Sequence, residues 1–320
     1  MDDHNLSLEL VRVTESAALS CIKWYGRGNP YDAVDAACNS MYQRLKSLDF
    51  KGNIIAGVDS RRIPETNFIT PLMTGKTVGS GKNDEFDIAL NPLECAEGMS
   101  KGKLNSCSVI CTSSPGGMMK IPNVYMEKIA VGPQLKGHVS LDQPLQDMFA
   151  KAANILGKEV EELKVVILDR ERNKKLIEKV RKFGPQIRLF ADGDLAAGMG
   201  THPWTPEDID FALGSGKSYQ GLMTAVGLKC MGGDFQGRFL VFNNEDKKEV
   251  EKYGVDTQKV YGMKDLVPGN QLTFAATGVA QSPFLKGIRF LRSGAKTRSV
   301  VARSASGTIR YVDTYHNFDE

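Results

Sequence analysis

A chain of 320 residues, 41% hydrophobic and 25% charged, holds enough apolar surface for a large core and implies a globular protein of one large or two medium domains. A formal net charge of +3 without a long basic run excludes the footprint of a nucleic-acid binder, since Lys174-Lys175 and Lys179 to Lys182 are spaced as the wet face of a helix. No apolar stretch approaches the roughly 20 residues of a membrane helix, and Met1-Asp2-Asp3 lacks a basic leader, so the expectation is a cytoplasmic or organelle-matrix protein without signal peptide or membrane insertion. Cys21, Cys38, Cys95, Cys107, Cys111 and Cys230 lack paired metal-ligand spacing and read as reduced, buried thiols.

In chain order, the apolar pattern predicts a helix over 8–24, broken by Gly26-Arg27-Gly28. Asn29-Pro30 then starts a second helix with Val34, Ala37, Cys38, Met41, Leu45 and Leu48 on one face. Short β-like runs follow over 53–58, 86–90 and 106–112, the last closed by Pro115-Gly116-Gly117. Beyond Gly157 strands and helices alternate: strand 164–168, helix 173–183, strand 187–190, short helix 195–199, strand 209–213 and helix 219–231. This alternation implies an α/β layer with its ligand site at the strand ends. The tail reads as strands over 297–303 and 308–315, there is no internal repeat, and the domain boundary is expected between residues 133 and 157, giving halves 1–145 and 146–320.

The run Phe86-Asp87-Ile88-Ala89-Leu90-Asn91-Pro92-Leu93-Glu94-Cys95-Ala96 carries the first chemical signal. A strand ending in Asp-Pro-(apolar)-Glu-Gly-Thr presents two carboxylates and a hydroxyl, the hard oxygen ligands with which Mg²⁺ or Mn²⁺ polarises a phosphate ester. Here Asn91 replaces the Asp, Cys95-Ala96 replace the Gly-Thr, and Glu94 alone remains. Gly214-Ser215-Gly216-Lys217-Ser218 suggests a phosphate loop, but the first glycine of that motif falls at Phe211; a simpler anion pocket at the following helix N-terminus is the reading left open. Asp192 and Asp194 flank Gly193 where a strand gives way to a helix, suited either to capping or to sugar hydroxyls. Arg170 and Arg172 suit either a phosphate clamp or surface pairs with Asp169 and Glu171. His202, without a partner His or Cys at ligand spacing, reads as a loop residue.

Arg12-Val13-Thr14-Glu15-Ser16-Ala17-Ala18-Leu19, Lys23-Trp24, Gly26-Arg27-Gly28, Tyr125-Met126-Glu127-Lys128, Lys136-Gly137, Asp192-Gly193-Asp194, Gly232-Gly233-Asp234-Phe235-Gln236-Gly237, Ala275-Ala276-Thr277-Gly278 and Tyr311-Val312-Asp313-Thr314 occur in that order. In this the chain resembles the class II, GlpX-type fructose-1,6-bisphosphatases, including the cyanobacterial kind that also accepts sedoheptulose-1,7-bisphosphate. The resemblance implies the layered α-β-α-β-α sandwich of the metal-dependent, lithium-sensitive sugar phosphatases, assembly as dimers or tetramers, and Mg²⁺- or Mn²⁺-assisted attack of water on the 1-phosphate. It also implies where the ion-binding carboxylates belong: at Val34, Val58, Asn91, Glu94 and Gln220, with the water-orienting Thr at Ala96. Only Glu94 is retained as a metal ligand. The sugar-phosphate contacts that the resemblance implies, Tyr125, Arg170, Arg172, Asp192 and Asp194, are kept in type, with Arg170 where Lys is common. Asn29-Pro30-Tyr31 replaces a charged stretch, and Arg61-Arg62, in the 60–71 loop, stand where the family places acids.

Losing one preorganised group at a transition state costs about 10²–10³ in rate, and here several ligands of the ion are replaced together. Uncompensated carboxylates crowded together also repel and are costly to desolvate, so Val34 and Val58 favour a site without an ion. The expectation is therefore a catalytically inactive family member without a cofactor, structural or regulatory, binding sugar phosphate and acting in a homo-oligomer or as a subunit of a larger assembly. The alternative is an active Mg²⁺- or Mn²⁺-dependent bisphosphatase that uses displaced carboxylates, Asp35 or Asp59 beside Glu94, with Asp84, Glu85, Asp87 and Glu97 nearby in sequence.

Overall fold

The computed structural model describes residues 3–58, 70–205 and 207–318. Helix α1 (Asp3–Cys21) buries Leu6, Leu10, Val13, Ala17 and Cys21, a three-to-four-residue spacing that turns one apolar stripe inward. A single 3₁₀ turn follows over Ile22–Trp24, and Gly26 and Gly28 then take positive φ of 69° and 75°, which ends the helical course. Helix α2 (Pro30–Lys46) starts as its sequence dictates: the Asn29 side chain accepts the Asp32 N–H at 3.1 Å, and Pro30 occupies the first helical position. Strands β1 (Lys51–Ala56), β2 (Thr77–Val78) and β3 (Glu85–Asn91), the short helix α3 (Ala96–Ser100) and strand β4 (Cys107–Ser113) complete this first stretch.

The chain then builds a second unit from Met119 to Pro268. Its elements are β5 (Tyr125–Val131), α4 (Leu145–Leu156), β6 (Lys164–Leu168), α5 (Lys174–Phe183), β7 (Gln186–Phe190), α6 (Asp194–Met199), β8 (Phe211–Lys217), α7 (Ser218–Met231), β9 (Asp234–Leu240), α8 (Asn244–Tyr253) and α9 (Met263–Leu266). The sheet order is β7-β6-β8-β5-β9, with β6 parallel to both β7 and β8 and β5 antiparallel to β8 and β9. Alternate residues of these strands, Ile129, Val131, Val165, Ile167, Phe211 and Leu213, pack with Met148, Phe149 and Ala152 of α4 and Ile177 and Val180 of α5. Phe149 meets Phe211 edge-on at 5.5 Å, each ring contributing about 1.5–3 kcal/mol by burial. Helices α6 and α7 lie against the same sheet. The unit is an α/β layer, as the alternating pattern implies.

From Gly269 the chain rejoins the first unit through β10 (Leu272–Gly278), β11 (Arg289–Leu291), β12 (Gly294–Arg303) and β13 (Thr308–Asn317). The eight-stranded sheet runs β11-β12-β10-β4-β3-β1-β2, with β13 alongside β12. Strands β4 and β10 are buried along their whole length, as central strands must be. Leu10, Met41, Leu45, Ile54, Ile88, Leu90, Ile110, Ala275 and Val301 form the core between this sheet and α1–α2.

Contiguous halves 1–145 and 146–320 are therefore corrected to a discontinuous first unit, Met1–Met118 with Gly269–Glu320, and an inserted second one. The expected boundary region is occupied by α4, whose apolar face belongs to the second core, and β10 must return to pair with β4. The strand expected over 209–213 extends further: Gly214-Ser215-Gly216-Lys217 lie inside β8, which runs to Lys217, in keeping with the missing first glycine of a phosphate loop. The first N–H of α7, that of Ser218, donates to the Val124 carbonyl at 2.9 Å, and Ser218 to Leu228 are buried, so this helix start offers no open anion pocket. The glycine-rich segment 232–237 has a structural explanation: Asp234 accepts the Gly137 N–H at 3.0 Å, Gln236 bonds both Leu141 and Val139, and Arg238 pairs with Glu127 and Asp142. Alternate residues of β9 thus clamp the loop that follows β5.

Candidate functional site

In the first unit, β3 delivers Asn91 to its end, and Pro92 and Leu93 turn the chain so that the Glu94 N–H donates to the Cys107 carbonyl at 2.8 Å. Glu94 is 4% exposed, and its carboxylate accepts a hydrogen bond from the Asn91 amide. Cys95 then takes φ 59° and ψ 38°, the left-handed conformation that favours glycine. Cys95 thus holds a backbone conformation that suits the glycine which the resemblance implies at this position. Burial and the neighbouring Glu94 carboxylate push the Cys107 thiol up, so it stays protonated.

Val34 in α2, Val58 just past β1 and Ala96 at the start of α3 are half-buried and pack against the same apolar cluster as Leu10 and Met41. Val58 is held there by its N–H to the Leu72 carbonyl at 2.9 Å and a bridge to Met73. Gln220, the last position at which the resemblance implies an ion-binding carboxylate, is buried in the first turn of α7 in the second unit. Nearby acids are committed elsewhere or face solvent. Asp35 and Asp84 are exposed; Glu85 accepts from Lys51 at 3.0 Å and Asn53 at 2.7 Å, which holds its carboxyl below the usual range. Asp87 accepts the Gly116 N–H at 2.7 Å, and exposed Glu97 faces Lys101 at 3.9 Å. Asp59 and Arg61-Arg62 lie outside the described residues. Among the described residues, no three His, Cys, Asp or Glu side chains gather in a way that could hold an ion. His202 is engaged through both ring nitrogens with backbone, accepting from Trp204 at 3.2 Å and facing the Met231 carbonyl at 3.0 Å, and burial pushes its pKa down, as suits a loop residue.

The second unit brings the five sugar-phosphate candidates to one sheet edge. Because β6 and β7 run parallel, Arg170 and Arg172 follow the end of one and Asp192 and Asp194 the end of the other. Antiparallel β5 begins at that edge, where Tyr125 pairs with Lys217 at the end of β8. The Arg172 guanidinium lies 4.8 Å and the Lys217 ammonium 4.4 Å from the Tyr125 ring centre, while exposed Phe242 meets the ring edge-on at 5.4 Å. Arg172 is oriented by donating from Nε to the Ser215 carbonyl at 3.1 Å. Buried Asn173 fixes that segment by accepting from the Ser215 N–H and hydroxyl, each at 3.0 Å. Arg170 faces Asp192 at 3.9 Å across half-exposed surface, a pair worth little by itself. Neither acid caps α6: Asp192 accepts the Gly193 N–H, and Asp194 pairs with Lys128.

Lys128 and Lys217 are functional candidates that motif reading passed over. Lys128 is 7% exposed on its side chain, donates to Asp194 and to the Lys217 carbonyl at 2.6 Å, and shares its strand face with Met126 and Ala130. A lysine at an inward position of a period-two run is the signal that would have found it.

The model for the family described as bacterial fructose-1,6-bisphosphatase, glpX-encoded, matches residues 4–316. The chain belongs to this family. A protein named D-fructose 1,6-bisphosphatase class 2/sedoheptulose 1,7-bisphosphatase from Synechococcus sp. (strain JA-3-3Ab) is 32% identical, and one of the same name from Microcystis aeruginosa (strain NIES-843 / IAM M-2473) is 31% identical. Each alignment covers 99% of this chain and 97% of the relative. The glpX-type fold is thus the frame for both groups of residues above: a strand-end turn around Glu94 in one unit and a basic, aromatic strand edge in the other. Among the described residues of this family member, no helix is long and apolar enough to cross a membrane.

Proposed function

We propose that this glpX-type family member does not hydrolyse sugar bisphosphates and serves a structural or regulatory role, in a homo-oligomer or as a subunit of a larger assembly, through retained binding of a sugar phosphate. The observation that carries this reading is the hydrogen bond from the Asn91 amide to Glu94, while Val34 and Val58, where the resemblance implies further ion ligands, and Ala96, where it implies the Thr, pack against an apolar cluster. Mg²⁺ dehydrates reluctantly and needs several hard oxygens in near-ideal geometry, whereas here one buried carboxylate already accepts from an amide and lies beside two thiols, Cys95 and Cys107. These residues do not fit such an ion.

Ligand binding is supported by the second unit, where Arg172 and Lys217 lie over the Tyr125 ring and Arg170 faces Asp192. Planar guanidinium forks suit a phosphate, and ionised carboxylates accept from sugar hydroxyls. The displaced-carboxylate alternative gains no support from Asp35, Glu85, Asp87 or Glu97, which are exposed or bonded elsewhere.

The test is phosphate release from fructose-1,6-bisphosphate at high protein concentration, with Mg²⁺ and Mn²⁺ supplied in turn and Glu94→Ala as the control. We expect no release above that control. Release that disappears in Glu94→Ala would establish an active hydrolase and overturn the proposal.

A further inference from the structure

We infer that Lys128 is the positioning residue of the sugar-phosphate site: it holds Asp194 as an acceptor toward the ligand's hydroxyls and ties it to the β8 end that carries Lys217. This rests on the ligand-binding reading above. Lys128 sits on β5, three residues from Tyr125, yet its ammonium turns inward to reach Asp194 at the start of α6 and the Lys217 carbonyl at the end of β8. Burying a charged lysine is costly unless it is paired and hydrogen-bonded, and here it finds one carboxylate and one carbonyl, each from a segment that contributes to the candidate site.

Space for this pair is built into the strand. A Cβ at Gly216 would overlap the Asp194 carboxylate and lie 3.1 Å from the Lys128 ammonium. A Cβ at Gly221 would lie 3.2 Å from Lys128 Cε, so two glycines, on β8 and α7, leave room for the lysine. Gly214 has φ 128° and is packed against Asn173, so the segment that frames the pair is fixed independently of any ligand. The Asp194 side chain remains 23% exposed while Lys128 is 7% exposed, so the carboxylate keeps a solvent-facing side and the lysine does not. An ionised carboxylate held from behind by an ammonium accepts hydrogen bonds and donates none. The ligand class it selects is a phosphorylated polyol with free hydroxyls beside the phosphate taken by Arg172 and Lys217.

Binding of fructose-1,6-bisphosphate to the full chain, measured by calorimetry without added metal, tests the inference in Lys128→Met, Asp194→Asn, the double variant and Gly216→Ala, with thermal unfolding recorded for each. Lys128→Met and Asp194→Asn are each expected to weaken binding about 10- to 100-fold, the range of a charge-assisted hydrogen bond. In the Asp194→Asn background, Lys128→Met should add less than about threefold, because the two act as one unit. A merely structural lysine would instead give losses that multiply. Gly216→Ala keeps both charges but displaces the carboxylate, so it should reproduce the loss and decides the matter if Lys128→Met does not fold. A folded Lys128→Met or Gly216→Ala that binds within about threefold of the unaltered protein, or multiplying losses in the cycle, would overturn the role of Lys128 alone. Failure of the unaltered protein to bind would overturn the ligand-binding reading together with it.

Discussion

Placing an aspartate at position 91 would make the turn around Glu94 less stable. In Asn91→Asp the amide that donates to Glu94 becomes a second carboxylate beside one that is 4% exposed. Losing a hydrogen bond to a buried charged group costs about 1.5–3 kcal/mol, and the pair escapes the added repulsion by retaining one proton. Holding a carboxyl protonated at pH 7 against an ordinary value near 4 costs about 4 kcal/mol, which caps the repulsive part. The expected loss at neutral pH is about 2–4 kcal/mol, roughly 5–15 °C in Tm for a domain of this size. The sign of the pH dependence follows. The shared proton gives the variant a carboxyl whose folded pKa is raised above its unfolded value, so the variant's deficit is small near pH 4 and grows as pH rises through that raised value. Urea unfolding at pH 5 and pH 8, with and without Mn²⁺, measures it. Either Asn91→Asp as stable as the unaltered protein at pH 8, or an unaltered protein stabilised by millimolar Mn²⁺, would refute the reasoning, since both require that Asn91 and Glu94 still face an ion.

Two further outcomes follow from the fold. Gly294→Ala, whose new Cβ would overlap the His316 carbonyl across the β12–β13 pair, should lower stability by about 2 kcal/mol or more and speed amide exchange along β13, whereas unchanged exchange would contradict that register. All six cysteines are buried thiols, and burial pushes Cys21 and Cys38 up to about 12, so a disulfide-exchange reagent at pH 8 should label none in the folded protein and six after denaturation; rapid labelling of any native thiol would count against this packing.

Local grammar carried much of this protein in its sequence. The Asn29-Pro30 helix start, the inward faces of α1 and α2, strand β6 and the glycine stops of α5 and α7 all follow from capping, periodicity and punctuation, which act over a few residues and need no distant partner. Val34, Val58, Asn91 and Ala96, where the resemblance implies ion ligands and a Thr, and the five sugar-phosphate candidates, were equally visible as residue types in ordered motifs. What the chain alone did not reveal depends on pairing between distant segments. Nothing near residue 272 says that β10 must lie beside β4, because antiparallel ladders are satisfied by partners far along the chain, and that pairing makes the first unit discontinuous. Gly214 and Gly216 looked like a loop because glycine signals a turn locally; only the packed sheet has Asn173 against the first and the Lys128–Asp194 pair against the second. The pair itself joins residues 66 positions apart, and a buried charge finds its partner through the fold rather than through its neighbours in sequence.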